Sequence, residues 1–391
     1  MISFNMVFRS IDLMLTERCN LRCSFCYIKK KEFVNSEDEI KRNLKFAEWI
    51  IRQFRESEEY RLYPLRRVLS INLYGGEPTV AWESVKSLVE WKKDIKDINI
   101  QFAIITNMSL MDEEKINYCI ANKIGIHPSI DGCKEAEDMF RKTANGDIVS
   151  DDVFKNAKIL MSKLPGRSCR STICPETAQY MFKSVKFLCE DIGFKTVNQI
   201  LAEGCKWDDE SLEIIKEEVR KITNWWIEKM RENKHYSLYY IRNMLMGIWT
   251  PMRMRGLCSS GVSRCAIDIT GNIYPCHRFC NESTPKEYLL GNVDTGVNNF
   301  EIQEKLRKFD MAEFHKDKCS KCIAVNSCHA LCIHEMMNQG KGMFEPLDYY
   351  CKLWPFYYQE TMRAHSILIA EKNKLYLQIY KPKPIVRKNA M

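Results

Sequence analysis

The placing of cysteine constrains this chain more than any other feature. Of 18 cysteines in 391 residues, Cys19, Cys23 and Cys26 fall within eight positions, and nine more lie between 258 and 351. Disulfide frameworks belong to small exported chains with weak cores, whereas this chain is long enough for one large and one smaller domain. Met1 to Leu15 is apolar in places, but Arg9 and Asp12 interrupt it and no small-residue cleavage site follows. That pattern argues against a secretory signal. In a reducing compartment clustered cysteines read as metal ligands or catalytic groups, so a cytoplasmic metalloprotein is expected.

Upstream of residue 236, short apolar runs alternate with segments of helical spacing. Val7 to Leu15, Val68 to Leu73, Ile98 to Ile105, Ile124 to Ile130, Arg170 to Ile173 and Thr196 to Leu201 read as strands. Ile40, Leu44, Ala47, Ile51 and Phe54 recur on one helical face, as do Val153, Ala157, Leu160 and Leu164. Phe182, Val185, Leu188 and Ile192 repeat the pattern, and so do Leu212, Ile215, Val219, Ile222 and Trp226. Six β/α units predict an α/β fold in which a parallel sheet, wrapped by helices, curls into an open barrel. In such barrels chemistry sits at the C-terminal ends of the strands. Cys19 to Cys26, Gly75-Gly76-Glu77-Pro78, Thr106-Asn107 and Ser129-Ile130-Asp131-Gly132 follow the first four strands, so these loops are expected to meet at one mouth. Beyond residue 236 cysteine, glycine and turn residues dominate, which predicts a small metal-stapled domain over 236–375. Residues 376–391, with Lys381-Pro382-Lys383-Pro384, read as a tail.

No run of 18 apolar residues offers a membrane span. The net charge of +8 is spread along the chain, denser at Lys29 to Lys31, Arg66-Arg67 and Lys381 to Lys388. This is a mildly basic solvated surface, with an acidic peptide as the partner it could attract. Nucleic acid is not expected, because no basic stripe with interleaved aromatics stands out.

Three thiolates on one loop suit a cubane of four irons and leave one iron without a protein ligand. A zinc ion would need a fourth ligand, and none lies nearby in sequence. The run Cys19-x3-Cys23-x2-Cys26 after a first strand resembles the radical S-adenosylmethionine enzymes. The resemblance implies a partial (β/α)6 barrel over 1–235 and an open iron chelated by S-adenosylmethionine. It also implies reductive cleavage of that cofactor to a 5′-deoxyadenosyl radical, which takes a hydrogen from substrate. Gly75-Gly76-Glu77-Pro78 matches the family's second motif, in which the glycines let backbone approach the ligand and Glu77 accepts from its ammonium. By the same resemblance Phe25 and Leu201 flank the adenine, and Ser129 and Arg141 hold ribose and carboxylate. Asp131 and Asn107 are read as turn organisers.

The later spacing, Cys258-x6-Cys265-x10-Cys276 and Cys319-x2-Cys322-x5-Cys328-x3-Cys332-x18-Cys351 with Gly271 as Gly-x4-Cys276, resembles the SPASM domain of peptide and protein maturases. That implies two auxiliary [4Fe–4S] clusters. Cys258, Cys265, Cys276 and Cys332 would hold the first, with Cys280 the alternative to Cys265. Cys319, Cys322, Cys328 and Cys351 would hold the second. If neither Cys265 nor Cys280 binds, the first auxiliary cluster has an open iron. Zinc at the Cys319-x2-Cys322 run, as an interaction module on a degenerate barrel, is the reading of another class. Cys119, Cys133, Cys169, Cys174, Cys189 and Cys205 read as small buried hydrophobes.

The favoured activity is crosslinking (thioether, C–C or C–O) or related oxidation of a ribosomally made precursor peptide, with the auxiliary clusters accepting the substrate electron. A flavodoxin or ferredoxin would reduce the first cluster. Only 18 residues precede Cys19, so leader recognition is expected from the barrel, the tail or a separate protein. Formylglycine formation in a sulfatase is the alternative enzyme activity. There the residue after the Gly-x4-Cys cysteine is an Asp general base; here it is His277, a candidate base or a hydrogen-bonding residue beside the cluster.

Overall fold

A computed structural model describes residues 8–28, 36–249, 258–309, 315, 317–328, 332–340 and 344–380. The basic runs at 29–31 and 381–388 lie outside the described residues, as does the start of the first expected strand at Val7.

Six parallel strands run in sequence order: β1 (Ser10–Thr16), β2 (Val68–Gly75), β3 (Asn99–Thr106), β4 (Gly125–Pro128), β5 (Ser168–Ile173) and β6 (Thr196–Leu201). β1 is buried from Ile11 to Thr16, as a parallel strand covered on both faces must be. β2 and β3 alternate buried with half-exposed positions. Leu69, Ile71, Leu73, Ile100, Phe102 and Ile104 enter the main core with the inner faces of the outer helices. Helix Ser36–Glu56 contributes Phe46, Ala47, Ile50, Ile51 and Phe54. Each such apolar side chain stabilises the layer by about 1.5–3 kcal/mol on burial.

The fourth strand is shorter than the apolar run Ile124 to Ile130, for a reason visible in its hydrogen bonds. Ser129 N–H still donates to Thr106 O on β3 (2.8 Å), but Ile130 N–H donates to Arg170 O on β5 (2.9 Å). The chain changes partner there, and the Ser129–Arg170 bridge joins an eight-stranded sheet to a three-stranded one. The barrel is therefore partial, its sheet not closed.

Beyond residue 236 the fold is better built than its composition suggests. After β7 (Ser237–Leu238), which pairs with β6, β8 (Arg264–Ile267) lies parallel to β1, with Ile11 opposite Cys265 and Asp12 opposite Ala266. β9 (Asn272–Tyr274), β10 (Gly291–Asn292) and β11 (Gly296–Val297) continue the same sheet antiparallel. Asp268 shapes the β8–β9 turn, its Oδ1 accepting from the backbone of Thr270 and Asn272 (2.8 and 2.9 Å). Gly271 closes that turn at φ +83°, where a side chain would be strained and would meet Val293 and Phe46. Helix Asp348–Ala370 packs against helix Asp209–Arg231. Residues 376–380, grouped by composition with the tail, instead end helix Lys374–Tyr380, where Tyr376 is buried against Trp226.

Candidate active site

The loops after β1, β2, β3 and β4 open into one cavity of about 780 Å³, within the range of small-molecule sites. Cys19, Cys23 and Cys26 lie in its wall, all half-buried. Burial pushes the Cys23 thiol up to about 12, opposed by the Arg141 guanidinium and reinforced by Cys26 and Cys19. Three thiols on one cavity wall are a donor set that fits an iron centre.

Gly75 and Gly76 serve a contact the sequence did not suggest. A Cβ on Gly76 would collide with the carbonyl oxygens of Glu17 and Arg18, and one on Gly75 with that of Thr16. Gly76 and Glu77 N–H donate to Thr16 and Arg18 O (2.8 and 2.9 Å). The close approach is thus to the backbone leading into the cysteine loop. Glu77 is buried, which raises its pKa against four hydrogen bonds. Oε1 accepts from Thr79 N–H (3.1 Å), Thr79 O–H (2.7 Å) and Thr106 O–H (2.8 Å), and Oε2 from Asn107 N–H (2.7 Å). It ties the second loop to the third while lining the cavity.

Arg141 is buried and forms a bidentate pair with Asp131 (2.7 and 2.8 Å). Its guanidinium lies 5.5 Å from the Phe25 ring centre, within cation–π range. Phe25 also meets Phe140 edge-on. Asp131 holds more than a turn: its Oδ1 accepts from Thr172 N–H on β5 (2.8 Å). Phe25, Gly75, Gly76, Ser129, Arg141 and Leu201 all line the same cavity.

His277 follows β9 and also lines the cavity, and its Nδ1 meets Asp12 Oδ2 at 2.7 Å. Arg264 binds the same carboxylate (2.7 to 3.0 Å). Burial disfavours the Asp12 anion, yet His277 and Arg264 hold its pKa well below the usual range. Burial lowers the His277 pKa, with Asp12 opposing. Contact with the Asp12 carboxylate favours the tautomer that carries its hydrogen on Nδ1, which leaves Nε2 with a lone pair. The Tyr74 ring lies tilted 4.6 Å from the His277 ring, and its hydroxyl shares a hydrogen bond with Tyr27.

The later cysteines fall into two groups. Cys276 and Cys332 each feel Cys258, and Cys332 also feels Cys276. Cys319 feels Cys322 and Cys351, and Cys351 feels Cys322. Cys328 is buried in the core. Cys265 is fully buried on β8 beside Ile11, and Cys280 packs with Met14, Ile28 and Ala266. Among the described residues no three His, Cys, Asp or Glu side chains converge closely enough for a single metal ion.

Sequence reasoning missed one pair. Cys174 follows β5, Cys205 follows β6, and both line the cavity with their thiols in hydrogen-bond contact. Cys119, Cys133, Cys169 and Cys189 are buried as small hydrophobes are. The signal for the pair was positional: one cysteine just past each of two neighbouring parallel strands.

Residues 13–188 match the family model of the radical SAM superfamily. The chain carries a radical SAM domain. Such a domain implies a [4Fe–4S] cluster and S-adenosylmethionine. The chain is 23% identical over 347 residues to a cysteine-type anaerobic sulfatase-maturating enzyme of Clostridium novyi, covering 83% of this chain and 88% of that relative. Its fold matches that of anSMEcpe with bound AdoMet at a TM-score of 0.72, with 20% identity over 93% of this chain and 99% of the other. Streptococcus suis SuiB bound to its precursor peptide SuiA matches at 0.57, with 15% identity over 89% and 77%.

Proposed function

We propose that this radical SAM enzyme acts on a ribosomally made peptide, forming a thioether, C–C or C–O crosslink or a related oxidation. The observation that carries this reading is the convergence on one cavity of the three-thiol loop, the Gly-Gly-Glu-Pro turn and the Asp12–His277 pair. Cys19, Cys23 and Cys26 would hold the cluster. When bound, cluster and S-adenosylmethionine supply the electron and the 5′-deoxyadenosyl radical that takes a hydrogen atom from substrate. Glu77 Oε2, with one protein donor against three on Oε1, keeps an acceptor position for the cofactor ammonium. Phe25 and Leu201 offer apolar faces to an adenine, Ser129 a hydroxyl to the ribose, and Arg141 a cation to the carboxylate. His277 Nε2 takes the proton of the substrate nucleophile, and Asp12 holds the ring in the tautomer that allows it. Crosslinking removes one hydrogen as an atom and one as this proton, leaving an electron for a redox acceptor. The C-terminal thiol groups, read as SPASM-type ligands, would supply that acceptor.

The similarity to sulfatase-maturating enzymes favours a second reading, oxidation of a sulfatase Cys or Ser to formylglycine. One experiment separates the two. Anaerobically reconstituted protein, reduced by flavodoxin or ferredoxin, is incubated with a precursor-like peptide and with a sulfatase peptide. Loss of two hydrogens from the first, with no hydrazine-reactive aldehyde in either, supports crosslinking. An aldehyde on the sulfatase peptide alone overturns it in favour of the second reading.

A further inference from the structure

Among the described residues four arginines line the cavity: Arg141, Arg170, Arg264 and Arg278. Three of them are matched by a carboxylate. Arg141 holds Asp131 (2.7 Å), Arg264 holds Asp12 (2.7 Å), and Arg278 pairs with Glu203. Arg170 is different. Among the described residues its guanidinium enters no ion pair and no hydrogen bond.

The strand that carries it fixes where it points. Successive side chains of a strand lie on opposite faces of its sheet. On β5, Cys169 and Ser171 are buried, and the Ser171 hydroxyl donates to Asp131 O (2.8 Å). Ser168, Arg170 and Thr172, the alternate positions, are half-buried and line the cavity. The backbone is held on both sides. Ile130 N–H donates to Arg170 O (2.9 Å), Thr172 N–H donates to Asp131 Oδ1 (2.8 Å), and Arg170 stands in register with Asn198 of β6. The guanidinium is thus presented from a rigid strand, as binding groups are best presented.

A cation drawn out of water without a counter-charge favours an anion as its ligand. Consistent with that state, burial and then the repulsion of Arg278 lower the pKa of Arg170. A guanidinium offers a carboxylate two parallel N–H donors, which a lysine cannot. The cofactor carboxylate already has Arg141, the cation set 5.5 Å from the Phe25 ring. The His277 ring, governed first by burial and then by Asp12, also feels Arg264 and Arg170. The net charge of +8 favours the approach of an acidic partner.

We propose that Arg170 determines specificity by binding a carboxylate of the peptide substrate, that of an Asp or Glu side chain or of the chain end. The inference rests on the reading that this site takes a peptide, and the two can fail separately.

The test uses the full chain, anaerobically reconstituted and loaded with S-adenosylmethionine. The probes are pools of short synthetic peptides with a central Cys among randomised neutral residues. One pool carries a Glu, a second a Gln in its place and a third a Lys, all with amidated ends; a fourth has no charged residue but a free terminal carboxylate. Peptides retained by the enzyme are counted by mass spectrometry. Retention of the Glu or the free-end pool about 10- to 100-fold above the Gln pool is expected, and which of the two is retained names the source of the carboxylate. R170Q loses this preference, and R170E turns it towards the Lys pool, a reversal that a merely structural role would not produce. In the unsubstituted enzyme the preferred pool also slows labelling of Arg170 by phenylglyoxal, a guanidinium reagent, whereas the Gln pool does not; this arm stands if the variants fail to fold. Equal retention of all pools, labelling that no pool slows, or a preference that R170Q keeps overturns the assignment while leaving the peptide reading. A raised KM for S-adenosylmethionine in R170Q with the preference intact overturns it in favour of the cofactor carboxylate. Retention of no peptide from any pool overturns both.

Discussion

Asp12 is the residue on which both halves of the site lean. It sits in the middle of β1, is 1% exposed, and accepts from Arg264 of β8, Asn72 of β2 (2.7 Å) and His277. Removing the proposed base, by H277A, is expected to slow the proposed peptide modification about 10²- to 10⁴-fold. Cofactor cleavage in the absence of peptide should persist, because a base is needed only once a substrate proton has to leave. Product formation and 5′-deoxyadenosine release, measured side by side, check this; parallel loss of both would remove His277 from the role of base. G76A is a structural counterpart. Its Cβ has no space against Glu17 and Arg18 O, so the chain should lose about 1–3 kcal/mol and load less iron at Cys19, Cys23 and Cys26. Thermal unfolding and iron analysis on the same preparation would register both effects.

At the scale of elements, the strands legible in the sequence were those whose neighbours stay constant along their length. Thr196 to Leu201 coincides with β6, and Val68 to Leu73 starts where β2 starts and stops two residues short of its end at Gly75. Ile124 to Ile130 was overlong because hydrophobicity continues through Ser129 and Ile130 while the hydrogen-bond partner changes. β8 was hidden for a different reason. Four residues, Arg264 to Ile267, carry too little pattern to announce a strand. The cysteine loop, the Gly-Gly-Glu-Pro turn and His277 were legible because their chemistry is local; the Asp12–His277 and Cys174–Cys205 contacts join positions far apart in sequence. Among the helices, Asp209–Arg231 is the one most tied to the C-terminal half. Its Trp226 is buried, donates Nε1–H to Tyr236 O (2.8 Å) and meets Tyr376 and Tyr380. W226A is expected to cost about 3–5 kcal/mol, seen as a lower denaturation midpoint; a change below 1 kcal/mol would mean that this contact contributes little.

Across the whole molecule, the two halves of the chain are joined through shared backbone hydrogen bonds. The register of β8 on β1, the packing of helix Asp348–Ala370 on Asp209–Arg231, and an ion pair between Glu203 and Arg278 all cross the point where the composition changes. Glu203 also meets His334, and Gly204 N–H donates to Glu335. Loss of iron from the C-terminal cysteines should therefore be felt by the barrel. Chelation of the reconstituted protein is expected to lower the thermal midpoint of a single transition; two separate transitions, one unaffected, would contradict this.

The parallel pairing of β8 with β1 has a further meaning for any attempt to dissect the enzyme. A fragment ending at residue 235 would bare the amide and carbonyl row of Ser10 to Leu13 in what had been the interior of a sheet, and unpaired rows of that kind recruit strands from other molecules. Such a fragment should clump when expressed alone. The barrel is stitched to the cysteine-rich half by peptide hydrogen bonds, so a fragment of either leaves an open strand row to be mended.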